Sequence, residues 1–390
     1  MLLLLYTIFF ASLFIVSYNY AGYGILLYLL VAVKRLFNKK QPLVAPIEPT
    51  VSLVIAAYNE AGFIEQKILN TLELDYPAEK LEIIFVTDGS SDGTPEIISR
   101  YPQVKLLHQP GRHGKTAAIN RAMKQVNSEI VVFCDANTLL NKEAIRNIVK
   151  HYADENTGGV AGEKKVIGKA GEAASTEGVY WKYESLLKRM DASLYTVVGA
   201  AGELFSVRTA LYQPVEESVV LDDFVISLRV NMAGYRVAYA PDAYAMEAPS
   251  FSITEEHKRK VRICAGGFQA MGILLPLLNI FRYPVVSFLY ISHRVLRWTL
   301  SPLSLALLLL SNLLIVLNGG AVFYQLFLAA QLAAYAAAFA GYRQAKRERR
   351  SKWLFIPFYF VFMNISVYEG FIRFIGGKQS AAWEKARRAA

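Results

Sequence analysis

The sequence predicts an α/β protein whose sheet is mostly parallel, with helices on both of its faces and transmembrane helices before and after it in the chain. Two patterns support this prediction. Short apolar runs alternate with helical stretches through the middle of the chain, and long segments almost free of charge lie on either side. The composition agrees, because 54% of the 390 residues are apolar and only 19% are charged, whereas about a quarter are charged in soluble proteins.

The first apolar segment predicts a membrane anchor. Residues 1–33 carry no charged side chain and run directly into Lys34, Arg35, Lys39 and Lys40. About 20 apolar residues suffice to cross a bilayer. A cleaved signal peptide would instead have basic residues before a shorter apolar run and a small-residue cleavage site. We therefore expect an anchor over residues 1–40, with its basic end in the cytoplasm.

A linker with prolines at 42–49 leads into the predicted sheet. Its strands are three short apolar runs, Val51–Ala57, Leu81–Val86 and Glu129–Cys134, separated by helical stretches at 65–74, 94–101 and 116–126. Strands that alternate with helices form parallel, doubly wound sheets, whose ligands gather at the carboxyl ends of the strands. A polar motif follows each run, and we predict a globular domain over residues 41–256.

The chain beyond this domain is apolar again. It divides into a basic, amphipathic interfacial segment at 257–282, transmembrane helices within 283–376 and a basic tail at 377–390. The membrane-spanning stretches are predicted at 285–317, 321–342 and 353–375. A basic loop, Arg343 to Lys352, lies before the last of them. Loop and tail cannot both be cytoplasmic if that stretch simply crosses, so either it lies along or re-enters the membrane, or the tail breaks the positive-inside rule.

Charge is distributed unevenly along the chain, whose formal net charge is +10. Residues 51–256 contain 20 Lys and Arg against 28 Asp and Glu, and the remaining residues contain 22 against 4. A nucleic-acid-binding domain would carry the positive charge itself, so we expect no nucleic-acid partner. Only Cys134 and Cys264 are present, which argues against a disulfide framework and favours a reducing compartment.

The polar motifs are weak one by one and specific as an ordered series. They are Tyr58-Asn59-Glu60, Thr87 to Thr94, Gly111 to Lys115, Asp135-Ala136-Asn137, Gly199 to Glu203, Leu221-Asp222-Asp223 and Lys258 to Arg262. Over residues 51–267 this series resembles the family 2 glycosyltransferases, in particular the membrane-embedded branch that contains poly-N-acetylglucosamine, hyaluronan and cellulose synthases. The resemblance implies a GT-A-type nucleotide-sugar-binding domain, inverting sugar transfer and a location in the cell membrane with the domain in the cytoplasm.

Binding of a nucleotide-sugar donor is expected at the strand ends. An acidic side chain in a Gly-Ser turn, such as Asp88, can accept hydrogen bonds from uracil or ribose, and a structural Asx turn is the alternative. The position before it, often a second Asp in the family, is Thr87. The resemblance assigns donor binding to Tyr58, Glu60, Asp88, Lys115, Asp135 and Arg262.

The motif Asp135-Ala136-Asn137 indicates a divalent cation, Mg²⁺ or Mn²⁺. It matches the family's Asp-x-Asp metal motif, with Asn in place of the second carboxylate. Asn137 still offers an oxygen ligand, and the loss of one negative charge predicts a weaker site. The alternative is that Asp135 merely ends a strand.

Inverting transfer requires a base that takes the proton from the acceptor hydroxyl as its oxygen attacks the anomeric carbon. Asp222 and Asp223 match the family's acidic pair, whose second member is the base, so the resemblance assigns that role to Asp223. Two neighbouring, partly desolvated carboxylates raise one pKa toward the working pH. The alternative is a solvated helix start, because Phe224 to Met232 has a helical pattern and Asp is stabilising in a first turn.

The remaining motifs are predicted to bind the acceptor. Gly202 and Glu203 lie in a segment that resembles the family's acceptor-side loop, with tight glycine packing as the alternative. Arg259 belongs to the basic cluster. Processive synthases of this branch usually carry Gln-x-x-Arg-Trp here, and Ile263 replaces the Trp on which an acceptor sugar stacks. A basic patch at the membrane surface is the other explanation of this cluster.

Two reactions are compatible with these residues. One is extension of a polysaccharide from a UDP-sugar such as UDP-N-acetylglucosamine, and the other is non-processive addition of one sugar to a lipid-linked or short glycan acceptor. The missing Trp and the few membrane segments favour the second, and overall similarity favours the first, for which a homo-oligomer would let a small bundle serve as a channel. A transporter or receptor with a degenerate domain would have lost the acidic pair, the metal Asp or the Lys, and all are present.

Overall fold

The computed structural model of the protein describes residues 1–37, 47–166, 174–248, 252–347 and 352–377. Lys39 and Lys40, most of the predicted linker, part of the predicted basic loop and the predicted tail from residue 378 onward lie outside the described residues. The predicted division of the chain at residues 40, 256, 282 and 376 stays a prediction.

The N-terminal segment forms one long apolar helix. It consists of α1 (Leu2–Ser17), a π-helical turn at Tyr18–Gly22 and α2 (Tyr23–Phe37), and it is long and apolar enough to span a membrane. Tyr23, Leu27 and Val31 recur every four residues on one face of α2 and are buried in the core of the central domain. The predicted anchor is therefore also packed against the domain.

Eight strands among the described residues join in one mixed sheet. They are β1 (Val51–Ala57), β2 (Leu81–Asp88), β3 (Lys105–Gln109), β4 (Ile130–Asp135), β5 (Leu139–Leu140), β6 (Thr157–Val166), β7 (Leu204–Arg208) and β8 (Arg236–Glu247). Their order is β3-β2-β1-β4-β7-β6-β8-β5. Parallel pairs join β1 to β2 and β4, and β2 to β3. The predicted α/β fold class is confirmed, and this half of the sheet has the predicted parallel arrangement.

Within the parallel half, β1, β2 and β4 are largely buried on both faces, which explains their continuous apolar runs. All seven residues of β1 are buried. Val54 and Ala56 pack into the core on one face of the sheet, and Leu53 and Ile55 pack into the core on the other, as the two-residue period of a strand requires. Each fully buried Leu or Ile contributes about 1.5–3 kcal/mol to folding.

The other half of the sheet departs from the predicted parallel pattern. β7 lies antiparallel between β4 and β6, β6 pairs in parallel with β8, and β5 pairs antiparallel with β8. β6 contains no continuous apolar run that would have revealed it, and the apolar run of β8 at 237–240 is short and ends at Pro241. β6 includes Gly158, Gly159 and the buried charges Glu163 and Lys164, and β8 includes Pro241 beside a break in the pairing register.

Helices cover both faces of the sheet. In the central part of the chain they are α3 (Ile64–Leu72), α4 (Thr94–Ile98), α5 (Lys115–Met123), α6 (Ala144–Val149), α7 (Ala174–Leu194) and α8 (Asp222–Met232), with 3₁₀ turns at Ala78–Lys80, Lys150–Ala153 and Thr209–Leu211. The three helices predicted at 65–74, 94–101 and 116–126 are α3, α4 and α5, and each ends two or three residues earlier than predicted.

The C-terminal part of the chain is helical. It contains α9 (Ile253–Ile273), a 3₁₀ turn at Leu275–Leu278, α10 (Pro284–Tyr290), a π-helical turn at Ile291–Val295, α11 (Leu296–Trp298), α12 (Leu300–Leu317), α13 (Val322–Lys346) and α14 (Lys352–Ile375). Residues 300–317, 322–346 and 353–375 are long and apolar enough to span a membrane. With the N-terminal helix they make four candidate spans among the described residues, the predicted number.

The span predicted at 285–317 begins later than predicted. Thr299, with φ −122° and ψ −87°, interrupts the helix before α12. His293 is completely buried between the carboxylates of Asp191 and Glu184 on α7, so the first half of the stretch packs against the domain. An average of hydropathy along the chain does not register ion pairs of this kind.

The contact between α13 and α14 predicts a large effect of one methyl group. A Cβ added at Gly341 would lie 2.2 Å from the carbonyl oxygen of Leu354 and 2.7 Å from the Cβ of Phe358. We expect Gly341→Ala to destabilise the protein by about 1–3 kcal/mol, the usual cost of overpacking, measured as a lower unfolding temperature in detergent. Gly272→Ala is the matched control, because nothing lies within 4 Å of its added Cβ. Equal losses from both substitutions would contradict the close packing.

Candidate active site

The carboxyl ends of β1 and β4 border a cavity of about 960 Å³, where ligands bind in folds of this class. Its other walls come from the start of α8 and from α7, α9, α11 and α14. The predicted site residues that line the cavity are Glu60, Lys115, Asp135, Asn137, Gly202, Glu203, Asp222, Asp223, Arg259 and Arg262. Tyr58 and Asp88 lie beside it.

Asp88 holds the turn that precedes Lys115. Its Oδ2 accepts hydrogen bonds from the backbone amides of His113 and Gly114, at 2.8 and 2.6 Å, and α5 begins at the next residue. Gly114 has a φ of +101°, which favours glycine. The carboxylate of Asp88 is thus used within the protein, and its predicted contact with a nucleotide stays a prediction. Thr87, at the expected second Asp, has its Oγ1 2.8 Å from Nδ1 of His108.

Tyr58 and Glu60 follow β1 and have different surroundings. The guanidinium of Arg112 lies 4.0 Å from the centre of the Tyr58 ring, a cation–π distance, and Arg112 itself lines the cavity. Glu60 is 4% exposed and lies on the cavity wall. Of these two predicted donor residues, only Glu60 therefore faces the cavity directly.

Lys115 and Asp135 form the central ion pair of the site, with 2.5 Å between Nζ and Oδ1. Burial lowers the pKa of Lys115, but the carboxylates of Asp135, Asp222 and Asp223 oppose this effect and the net pKa is raised. Lys115 therefore carries its positive charge at neutral pH, beside the end of β4.

Asp135 and Asn137 present oxygen atoms that fit a divalent cation. Oδ1 of Asn137 is buried and has no hydrogen-bond partner among the described residues, which is costly unless a ligand satisfies it. Mg²⁺ prefers oxygen ligands and is commonly held by one or two carboxylates together with substrate phosphates. The described part of the chain has no cluster of three or more His, Cys, Asp or Glu suited to a metal. The pair is thus a partial ligand set.

Asp222 and Asp223 begin α8 at the cavity wall. Asp222 is 4% exposed, and its Oδ2 has no hydrogen-bond partner among the described residues. Oδ1 of Asp223 accepts a hydrogen bond from the amide of Phe224 at 2.8 Å. Burial and the adjacent Asp222 raise the pKa of Asp223 to about 7, against the opposing effect of Lys115. Burial also raises the pKa of Asp222. A solvated helix start does not describe this pair.

Gly202 leaves open the space between the acidic pair and the lysine. A Cβ at this position would lie 3.1 Å from Nζ of Lys115 and 3.2 Å from Oδ2 of Asp223, so both groups border the same small volume. Gly199 has a packing role instead, because its φ is +81° and an added Cβ would lie 2.1 Å from the ring of Phe224. In this loop Gly202 thus keeps space open beside Lys115 and Asp223, and Gly199 allows tight packing against Phe224.

Glu203 joins the same loop to α9. Its Oε1 lies 2.6 Å from Nζ of Lys164 and 3.3 Å from Nη2 of Arg259. Burial alone would raise the pKa of Glu203, but these two cations lower it, so the carboxylate is ionised. Glu203 and Arg259, two of the three residues predicted to bind the acceptor, therefore bind each other, and both line the cavity together with Arg262.

Sequence patterns did not reveal the side of the cavity nearest the membrane helices. Its lining includes Tyr20, Lys188, Arg294, Arg297, Trp298 and Tyr359. The sequence could have indicated Arg294 and Arg297, since basic residues inside an apolar stretch are commonly paired and functional. Trp298 carried no such signal. Its ring centre lies 5.6 Å from that of Phe224, the residue after Asp223.

Comparison with known sequences agrees with this geometry. Residues 52–216 match the family described as Glycosyl transferase family 2. The chain is 26% identical over 245 residues to poly-beta-1,6-N-acetyl-D-glucosamine synthase of Staphylococcus aureus, covering 60% of this chain and 58% of the relative. It is 25% identical over 232 residues to the synthase of Staphylococcus epidermidis, covering 57% and 55%. The chain thus spans somewhat more than half the length of these relatives.

Comparison with solved structures shows the fold. A mannosyltransferase from Pyrobaculum calidifontis, solved in complex with GDP-Man and Mn²⁺, matches with a TM-score of 0.70 and 24% identity, over 96% of this chain and 99% of that one. The fold is of the GT-A type, and the family match together with the synthase relatives indicates a glycosyltransferase with candidate membrane helices.

The partial ligand set predicts the metal dependence of nucleotide binding. We expect Asp135→Ala to weaken Mn²⁺ binding in the presence of UDP by at least about tenfold, or about 1.4 kcal/mol. Asn137→Asp should strengthen it, because it adds a carboxylate ligand. Titration calorimetry measures both, with the exposed Glu155→Ala as control. Unchanged Mn²⁺ affinity in both site variants would contradict the assignment.

Proposed function

We propose that the protein is an inverting transferase that moves a sugar from a nucleotide-sugar donor to a growing polysaccharide at the membrane. One observation carries this proposal: Asp223 and Lys115 border one small volume in front of Gly202. A base for the acceptor and a cation for the departing diphosphate are the two groups that such a transfer requires. The named synthases of Staphylococcus support a UDP-sugar such as UDP-N-acetylglucosamine as donor.

In this reaction the donor diphosphate lies near Lys115 and Arg262. Asp223 accepts the proton of the acceptor hydroxyl while that oxygen bonds to the anomeric carbon. The bond from this carbon to the diphosphate breaks, and its electron pair leaves with the nucleoside diphosphate. Lys115 stabilises the negative charge that develops there. Mg²⁺ or Mn²⁺, when held by Asp135 and Asn137, supplies further neutralisation of the diphosphate.

A second candidate function is the non-processive addition of one sugar to a lipid-linked or short glycan acceptor. Ile263 favours it, because this residue lines the cavity at the position where processive synthases usually carry Trp. Four candidate spans also make a small bundle, and a polymer channel through it would require a homo-oligomer.

The proposed reaction places the domain on the cytoplasmic side of the cell membrane, beside the pool of nucleotide sugars. Lys34 and Arg35 in the last turn of α2 support this orientation by the positive-inside rule. The two alternatives for the last span and the basic tail stay open.

The proposed base predicts a pH dependence. Asp223 accepts a proton only when it is ionised, and its pKa is raised to about 7. Transfer should therefore fall as the pH falls through about 7 and level off above it. Asp223→Asn should lower turnover by about 10²–10⁴, measured as nucleoside diphosphate released with acceptor membranes. Asp242→Asn, an exposed carboxylate paired with Lys150, is the control. Undiminished transfer by Asp223→Asn would exclude the base assignment.

Product size separates the two candidate functions. Membranes that contain the protein are incubated with one labelled nucleotide sugar at a time, from both the UDP and the GDP series. We expect a high polymer if transfer is processive and a single added sugar on lipid or short glycan if it is not. Absence of transfer from every donor, with membranes containing Asp223→Asn as the background, would contradict both functions.

A further inference from the structure

Lys188 is a buried cation in the cavity that the proposed reaction does not use. It lies on α7, exposes 6% of its surface and lines the cavity. No hydrogen bond or ion pair joins it to any other residue that the structure describes. A buried ammonium group loses several kcal/mol of solvation unless an anion compensates it. This position therefore points to an anionic ligand.

The charges around Lys188 favour the same ligand. Glu184 lies one turn earlier on α7, and its carboxylate pairs with Arg297, with Arg294 at 3.5 Å and with His293 at 3.3 Å. Burial alone would raise the pKa of Glu184, but Arg297 and His293 hold it well below its usual value. Asp191 pairs with His293 as well, at 2.6 Å, so two carboxylates offset the charges of the two guanidinium groups. Lys188 then adds a positive charge that this cluster does not compensate.

An apolar wall adjoins this positive cluster. Phe355, Tyr359, Met363 and Val367 recur every four residues on one face of α14, and all four line the cavity. α14 is one of the candidate membrane spans. The cavity therefore extends from the acidic pair to the side of a membrane helix.

Hydrogen bonds connect the apolar wall to α7. The hydroxyl of Tyr183 donates to the carbonyl oxygen of Tyr20 at 3.0 Å, and the hydroxyl of Tyr20 donates to Oδ1 of Asn364 at 2.9 Å. Tyr183, Tyr20 and Asn364 all line the cavity. The N-terminal helix thus joins the cationic side of this space to its apolar side.

We propose that this side of the cavity binds a lipid acceptor through its phosphate group, with the phosphate at Lys188, Arg294 and Arg297 and the hydrocarbon chain along α14. The proposal rests on the second candidate function, transfer to a lipid-linked acceptor, and names the residues that hold the phosphate and the hydrocarbon chain of that acceptor. A neutral glycan would leave Lys188 without a counter-charge. Inorganic phosphate would leave the apolar face of α14 uncovered. An anionic amphiphile supplies both the counter-charge for Lys188 and an apolar chain that covers the face of α14.

Binding of farnesyl phosphate to the full-length protein in detergent tests the proposal. Farnesol, which lacks the phosphate, and inorganic phosphate, which lacks the hydrocarbon chain, are the comparison ligands. UDP with Mn²⁺ tests whether donor binding is intact. Calorimetry measures the affinity of each. We expect farnesyl phosphate to bind at least about tenfold more tightly than either comparison ligand, or about 1.4 kcal/mol. Lys188→Met should remove the preference over farnesol, and Lys188→Arg should retain it. Lys182→Met, an exposed lysine on the same helix, should change nothing.

Three results would overturn the proposal. They are equal binding of farnesyl phosphate and farnesol by the unmodified protein, an undiminished preference in Lys188→Met, and an equal loss of UDP affinity in that variant, which would assign Lys188 to the donor. Val367→Trp is a second variant in case Lys188→Met elutes as an aggregate in size-exclusion chromatography. It fills the apolar wall and should weaken farnesyl phosphate without affecting inorganic phosphate, and unchanged farnesyl phosphate binding would count against the proposal.

The two proposals fail in different measurements. Transfer that continues in Asp223→Asn would contradict the proposed base and leave the binding of farnesyl phosphate as measured. Loss of the lipid preference with intact, Asp223-dependent transfer would contradict the acceptor proposal alone.

Discussion

The site depends on one ammonium group placed among three carboxylates. Lys115 forms an ion pair with Asp135, and its charge also acts on Asp222 and Asp223. Acidic side chains that share a poorly solvated space repel one another, and a cation between them makes the arrangement tolerable. The same balance sets the ionisation of Asp223, whose pKa burial and Asp222 raise and Lys115 lowers. The turn held by Asp88 matters because it fixes where this ammonium lies.

The domain does not build the cavity alone. α9 contributes Arg259, which binds Glu203 in the loop of the glycines, and α11 contributes Trp298. A Cβ at Gly267 on α9 would lie 2.9 Å from the Trp298 ring, so these two helices meet closely beside the acidic pair. α14 completes the wall. Most of the residues that line the cavity, Asp222 and Asp223 among them, therefore lie beyond the segment that matches the family.

The sequence predicts those strands whose burial depends only on their own residues. β1, β2 and β4 have both faces buried, so their apolar runs are visible in the sequence and the motifs after them converge at one edge. β6 escapes the same criterion because Lys164 is buried only by virtue of Glu203 and Glu247, which lie 39 or more residues later in the chain. Such pairs exist only after folding.

Some residues of the candidate site were also predictable from local motifs, and others were not. The position of Asp135, Asp222 and Asp223 at one cavity was predictable, because each belongs to a motif of the ordered series, while their roles stay predictions. The pKa of Asp223 was predictable only in direction, since its magnitude depends on burial and on the charges of Asp222 and Lys115. Lys188 was not predictable. In sequence it is one of two lysines on α7, and only the packing of α7 against other parts of the fold, the N-terminal helix and α14 among them, distinguishes buried Lys188 from exposed Lys182.

The N-terminal helix does more than anchor the domain, because it also contributes to the cavity. Tyr20 lies on the cavity wall, Asn19 donates through Nδ2 to the carbonyl oxygen of Ser292 at 3.0 Å, and Tyr23 donates to Asp191 in the core. A chimaera with another anchor of equal length and hydropathy would stay attached to the membrane and lose part of its cavity. The N-terminal helix is therefore part of the wall that surrounds the substrate as well as a membrane anchor.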